Sequence, residues 1–267
     1  MTDQHAPRDT TSSTRSTTDA AHADVGIVCA LAIESSGLLR QCERVRKYVG
    51  GCFVFRGGWY RGVRVAVVEC GMGLQRAQAA TEALLDAHTP DWVLSCGFAG
   101  ALVPDLKIGH ILVPTRVVRA STANVLPIDV RMPEDRRRGL FVGTLVSSEQ
   151  MVRTVTAKKR LAEQFQALAV DMETWAVAEV CRRRRKPFMS VRVVSDDLSG
   201  DLPPEVLTVV GASGALRLGA AVAAVWKRPS SVKDMWRLRT NAYDASDRLA
   251  VFLDGVIEQL CSQPENA

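Results

Sequence analysis

Apolar residues along this chain recur with two alternating periods. Val25 to Leu31 is a short continuous apolar run, which predicts a buried first strand. Ala32 to Cys42 follows as a helix with Leu38 and Leu39 as core positions. Tyr48 to Arg56 and Val63 to Glu69 alternate like half-buried strands, and Gly57-Gly58 between them predicts the turn. Gly71-Met72-Gly73 leads into a helix over Gln75 to Ala87. Trp92 to Ser95 predicts a buried strand running into a glycine loop, Cys96-Gly97-Phe98-Ala99-Gly100. His110 to Val118 and Phe141 to Val146 predict strands, and Met151 to Phe165 a helix. Ala167 to Val170 predicts a strand, Thr174 to Arg184 a helix, and Phe188 to Val194 a strand with Asp196-Asp197 just beyond its end.

Strands alternating with helices imply an α/β fold, a sheet with helices on both faces. In such sheets a ligand binds outside the carboxyl ends of the strands. Glu34, Gly71 to Gly73, Gly97 to Gly100 and Ser195-Asp196 all fall there, so the pattern alone predicts a pocket.

The two ends of the chain read differently. Residues 1–24 are rich in Ser, Thr, Asp and Ala without an apolar stretch, which predicts a disordered tail rather than a secretory signal. Pro203-Pro204 opens an apolar segment, Val206 to Trp226, that holds Arg217 and three glycines. It reads as a buried helix rather than a membrane span, so no stable membrane insertion is expected. Arg228-Pro229 interrupts, and Val232 to Leu260 predicts a last helical stretch. The division is therefore a tail, 1–24, and a single domain, 25–260. A chain of 267 residues has room for one large core and a pocket.

The net charge of +5 sits largely in three clusters, Arg136 to Arg138, Lys158-Lys159-Arg160 and Arg182 to Lys186. They read as a solvated basic face. No aromatic residues interleave with them as a base-stacking platform needs, which argues against a nucleic-acid partner. The cysteine count is odd, seven, with no CxxC pair. Cys29, Cys70 and Cys96 lie in apolar runs, as small buried thiols do in a reducing, cytoplasmic compartment. His88 and His110 lack ligand-spaced partners, so no metal site is expected.

Three carboxyls fall at the pocket end. Asp196 reads as an acid at the end of a buried strand, raised by desolvation, or as a helix N-cap. Glu173 reads as a pocket carboxyl or as a first-turn glutamate favoured by the helix dipole, and so does Glu34. Carboxyls in different environments can divide acid and base work between them.

Together these residues resemble a known family. Val25-Gly26-Ile27-Val28-Cys29-Ala30-Leu31-Ala32-Ile33-Glu34 is similar to the opening of 5'-methylthioadenosine/S-adenosylhomocysteine nucleosidases, with Ala32 and Ile33 in place of two acidic residues. Val170-Asp171-Met172-Glu173-Thr174-Trp175-Ala176 resembles the family's V-E-M-E-A-x-A signature, and Val191 to Asp196 its V-R-x-x-S-D signature. Gly71-Met72-Gly73 is similar to G-I-G, and Cys96 to Leu102 to T-G-S-A-G-G-L with Phe98 in place of a serine.

The resemblance implies a three-layer α/β/α nucleoside phosphorylase-like fold with a central mixed sheet. It implies a small-molecule purine nucleoside as substrate, no metal or organic cofactor, and a homodimer. It casts Glu34 as the base that activates water and Asp196 as donor to purine N7, with Ser195 orienting it. Met172 would pack beneath the ribose and Glu173 bind its hydroxyls, with Val170 in the same motif. Met72, Gly73, Gly97, Ala99 and Gly100 would line the ribose side. Met151 and Val152 would hold the adenine.

The resemblance covers Val25 to about Ser199. The segment from Leu202 is more similar to hopanoid-associated nucleoside phosphorylases, and Leu207, Val209, Val210 and Trp226 would then line an apolar entrance or cover the sheet. Ser95 and Phe98 stand where related phosphorylases place an arginine and a serine for phosphate. Hydrolysis is therefore the favoured reading, phosphorolysis with Arg40 or Arg76 as anion ligands the second, and a non-catalytic nucleoside-binding protein the third.

Overall fold

A computed structural model of the chain describes residues 22–203 and 231–262. Its strands are β1 (Val25–Cys29), β2 (Glu43–Gly50), β3 (Phe53–Tyr60), β4 (Val63–Glu69), β5 (Trp92–Ala101), β6 (Ile111–Arg119), β7 (Val125–Pro127), β8 (Leu140–Ser147), β9 (Ala169–Asp171) and β10 (Phe188–Asp196). Its α-helices are α1 (Ala32–Leu39), α2 (Leu74–His88), α3 (Val155–Phe165), α4 (Thr174–Arg184) and α5 (Ser231–Ser262).

All ten strands join one mixed sheet in the order β10-β6-β8-β9-β5-β1-β4-β3-β2, with β7 beside β6. β10 also pairs with β5, so β5, β10, β6, β8 and β9 close into a ring. β1 is flanked in parallel by β4 and β5, and every residue of β1 is buried, as its unbroken apolar run requires. On one face the core takes in α2 and α4, with Ala77, Leu84, Trp175 and Val177. On the other, Leu38 of α1 and Leu249 and Leu253 of α5 pack with Ile27, Val67 and Val191. This is the α/β/α layering expected.

The structure departs from the sequence reading in several places. Tyr48 to Arg56 is not one strand. β2 and β3 form a hairpin that turns at Gly51-Cys52, and Gly57-Gly58 lies inside β3. The two glycines mark close packing instead. A Cβ on Gly57 would stand 2.9 Å from the Val65 carbonyl oxygen, and one on Gly58 2.6 Å from that of Glu43. The residues from Cys96 to Gly100 are likewise no loop, because β5 runs unbroken to Ala101, held by β10 and β9. α3 begins at Val155, not Met151. The Arg153 carbonyl accepts from Leu202 N–H and the Val155 N–H goes to Asp201, so this backbone is spent outside a helix until Thr154 caps the turn. α5 runs without a break from Ser231 to Ser262.

Ala23, at the end of the anticipated tail, is 1% exposed, and its N–H donates to His88 O. The apolar segment from Val206 to Trp226 lies outside the described residues. Among the described residues no helix is long and apolar enough to cross a membrane. Two basic clusters are tied into surface ion pairs, Arg136 with Glu134 and Arg184 with Glu82 and Asp86. Lys158 contradicts the solvated reading of the third cluster, since it is fully buried.

Gly58→Ala should lower unfolding stability by about 1–3 kcal/mol, because the added methyl meets the backbone carbonyl of Glu43 rather than a flexible side chain. Urea denaturation of the two proteins checks it, and an unchanged midpoint counts against this packing.

Candidate active site

One strand of the ring, β10, carries a buried charge, Arg192. It is 1% exposed in a strand whose neighbours Val191, Val193 and Val194 are fully buried. Its Nε donates to Asp171 Oδ2 at 2.9 Å, and its Nη2 to Ser95 Oγ at 2.7 Å and Thr174 Oγ1 at 2.8 Å. Asp171 is saturated in turn. Its Oδ1 accepts from Ser147 Oγ, and its Oδ2 from Thr174 N and Oγ1 as well as from Arg192. A buried ion pair is tolerable only when its remaining hydrogen-bonding capacity is met, and here it is.

Glu34 sits at the start of α1 and is 5% exposed. One carboxylate oxygen accepts from the N–H groups of Ala30 and Leu31, the other from Phe98 N–H at 2.9 Å. Burial raises its pKa, while the bonds from Leu31, Phe98 and Ala30 and the charge of Arg192 pull the other way. Gly97 makes this approach possible. It lies opposite Arg192 in the β5–β10 register, and a Cβ there would be 2.7 Å from Glu34 Oε1. The contribution of Phe98 is its backbone N–H, so the missing serine hydroxyl leaves Glu34 satisfied.

Glu173 reaches the same region from β9, which runs antiparallel to β5 with Val170 opposite Gly100. It occupies the N-cap position of α4 but does not cap it, and the Trp175 N–H goes instead to Ser147 Oγ. Its Oε1 accepts from Gly73 N–H at 2.9 Å. Gly73 adopts φ +105°, a conformation that favours glycine. Burial and the nearby Asp171 charge push the Glu173 pKa up to about 8.

Asp196 closes β10 opposite Gly100, after an irregularity in register between Val194 and Asp196. It caps no helix. Ser195 Oγ donates to its Oδ1 at 2.8 Å, and Lys158 Nζ to its Oδ2 at 2.5 Å. The direct partner of Asp196 is therefore an ammonium group. A Cβ on Gly100 would fall 2.9 Å from Asp196 Oδ2, so this glycine also clears space for a carboxylate.

Met151 and Val152 lie apart from the carboxyls. With Ser148, Gln150 and Arg153 they line a cavity of about 330 Å³. Ser148 N–H donates to Asp171 O, which ties this wall to the segment carrying Glu173. Met72 and Met172 are half-buried. The Ala99 side chain packs with Leu112, Phe141 and Val194, and that of Val170 with Leu102 and Val146, so neither joins the carboxyl cluster. Arg40 is ion-paired with Asp247, and Arg76 donates to Cys70 O beside the Phe53 ring. Burial pushes the Cys96 thiol up to about 12, as for an inert core cysteine.

Two residues of this site were assigned no role from the sequence, Arg192 and Lys158. Each carried a signal. Arg192 is a charge inside a continuous apolar strand. Lys158 stands three, four and seven residues before Leu161, Ala162 and Phe165, on the apolar stripe of α3.

The family model of the Phosphorylase superfamily matches residues 24–134 and 132–225. A 5'-methylthioadenosine/S-adenosylhomocysteine nucleosidase of Staphylococcus epidermidis is 26% identical over 199 residues, covering 66% of this chain and 87% of that protein. Among solved structures, the nucleosidase of the same name from Helicobacter pylori, in complex with butyl-thio-DADMe-Immucillin-A, superposes with a TM-score of 0.67 at 20% identity. That match covers 89% of this chain and 99% of the other. Futalosine hydrolase of Helicobacter pylori gives a TM-score of 0.65 at 20% identity over 88% and 97% of the two chains. These likenesses are to the fold.

A raised carboxyl pKa links the site to stability. Glu173 holds a proton in the folded chain that the unfolded chain gives up near pH 4.5, so its contribution is lost as pH rises toward about 8. Glu173→Gln removes that titration. The melting temperature of the variant relative to the native chain should climb between pH 5 and pH 9, by about 2–4 °C for each kcal/mol recovered. A pH-independent difference in differential scanning calorimetry would refute the buried, protonated state.

Proposed function

The chain belongs to the Phosphorylase superfamily, and we propose that it hydrolyses the N-glycosidic bond of an adenine nucleoside of the 5'-methylthioadenosine/S-adenosylhomocysteine type, releasing adenine. The observation that carries this reading is Glu34. A carboxylate held by three backbone N–H groups, with its pKa raised by burial, is oriented and basic enough to take a proton from water. The same negative charge would repel phosphate. Arg192 spends its Nε and Nη2 on Asp171, Ser95 and Thr174, and Arg40 is held by Asp247. These commitments favour water over phosphate as the nucleophile.

The roles divide by position. Asp196, steadied by Ser195, faces the leaving base and passes a proton to its N7, so the base departs as a neutral purine. Met172 and Glu173 hold the ribose, with Gly73 fixing the Glu173 carboxyl. Met72 and the backbone of Gly97, Ala99, Gly100 and Val170 line the ribose side. Met151 and Val152 form the wall of the base cavity. As the positive charge of an oxocarbenium-like ribose develops, the surrounding carboxylates stabilise it. Two of the named relatives are 5'-methylthioadenosine/S-adenosylhomocysteine nucleosidases, which supports this reading, and a cytoplasmic homodimer is the assembly we propose with it.

The test is adenine release from methylthioadenosine, S-adenosylhomocysteine and adenosine, with and without phosphate. Adenine with free sugar, independent of phosphate, is the expected result. Strict dependence on phosphate with a sugar 1-phosphate formed would replace hydrolysis by phosphorolysis, and no release from any of the three would favour a non-catalytic binding protein. Asp196→Asn and Glu34→Gln should each lower kcat by about 10²–10⁴. Either variant at full rate with water as acceptor removes that residue from the mechanism.

A further inference from the structure

Lys158 is the one charged side chain of α3 that is fully buried, and it faces Asp196 rather than solvent. Its Nζ donates to Asp196 Oδ2 at 2.5 Å and to Asp197 O at 3.1 Å. Its neighbours along the helix face, Leu161, Ala162 and Phe165, pack into an apolar cluster. Burying an ammonium among such residues is unfavourable unless its charge is used, and an apolar side chain would fill the same place without that cost. The approach is also built from the other side. Gly100 leaves its Cβ position only 3.4 Å from Lys158 Cε and 2.9 Å from Asp196 Oδ2, so any larger residue there would part the pair.

We propose that Lys158 is the proton source for the leaving base, acting through Asp196 as a positioning residue that never touches substrate. The inference rests on the reading above, in which Asp196 serves the base. The protons balance as follows. The Lys158 ammonium passes one proton to Asp196 Oδ2 and becomes a neutral amine. Asp196 delivers one proton to N7, and the C1'–N9 bond breaks with its electron pair going to the base, which leaves as a neutral purine. Water adds at C1', and its proton goes to the Glu34 carboxylate. Glu34 then releases that proton to solvent and Lys158 regains one, which restores the starting state.

The experiment compares the native chain with Lys158→Gln and Lys158→Arg on two substrates. Methylthioadenosine needs its base protonated. 4-Nitrophenyl β-D-ribofuranoside loses a stable phenolate and needs no acid. Lys158→Gln should lower kcat for methylthioadenosine by about 100-fold with KM changed less than about threefold, since only a step of the reaction is lost. Its loss on the nitrophenyl riboside should stay below about fivefold, and Lys158→Arg should be as slow as Lys158→Gln on methylthioadenosine, because a guanidinium keeps the charge but cannot give up its proton. Equal losses on both substrates would make Lys158 a packing residue and overturn the proposal. So would a change confined to KM, or no change at all. Lys158→Met, which carries no charge at similar volume, decides the question in the same way if the amide variant fails to fold. A native chain that cleaves the nitrophenyl riboside but releases no base from any purine nucleoside overturns the parent reading together with this one.

Discussion

The buried contact between Arg192 and Asp171 is the constraint around which the rest of the molecule is arranged. An arginine cannot shed its charge, so its burial in β10 requires a carboxylate and enough acceptors to occupy its planar fork. Asp171, Ser95 and Thr174 provide them from β9, β5 and α4. Each is itself held, Asp171 by Ser147 on β8 and by the first turn of α4. One ion pair thus joins four strands of the ring to the helix that follows β9. Breaking such a pair by removing one partner typically costs about 3–5 kcal/mol, because the other charge is left buried alone.

That constraint also sets the electrostatics of the site. Glu34 and Glu173 lie in the field of the same guanidinium but receive no hydrogen bond from it. Their pKa values rise because desolvation outweighs the attraction of Arg192. Glu34 is held by the N–H groups of Ala30, Leu31 and Phe98, and Glu173 by those of Gly73 and Met172, so the two glutamates of one cluster are anchored differently. Asp196 stands in a third environment, beside an ammonium. The three carboxyls therefore stand in three different environments, as dividing acid, base and ribose-binding roles among them would require.

The glycines of β5 connect fold to site. A sequence search for turns takes Gly97 and Gly100 as loop residues, and the structure puts them within a strand. Their lack of a side chain is used laterally, to admit Glu34 and Arg192 at one position and Asp196 with Lys158 at the other. Gly57 and Gly58 repeat the lesson at the sheet edge. The turn between β2 and β3 falls at Gly51-Cys52, where Gly51 has φ +58° and open space around it.

The order and type of most elements were legible in the sequence, because burial imposes its period on the residues themselves. β1, α2, α4 and β10 stand within a few residues of where apolar runs and helical stripes put them, and the carboxyls Glu34, Glu173 and Asp196 were visible as acidic residues at element ends. The partners of those carboxyls were not legible. That Arg192 binds Asp171, that Phe98 gives its backbone N–H to Glu34, and that Lys158 turns inward to Asp196 depend on contacts between residues 21 to 64 positions apart. The hairpin and the true start of α3 were hidden for the same reason, since a close carbonyl at Glu43 and hydrogen bonds to Asp201 and Leu202 decide them. Local periodicity records which face of an element is buried. Which atom meets which across that face is chosen only when the sheet closes.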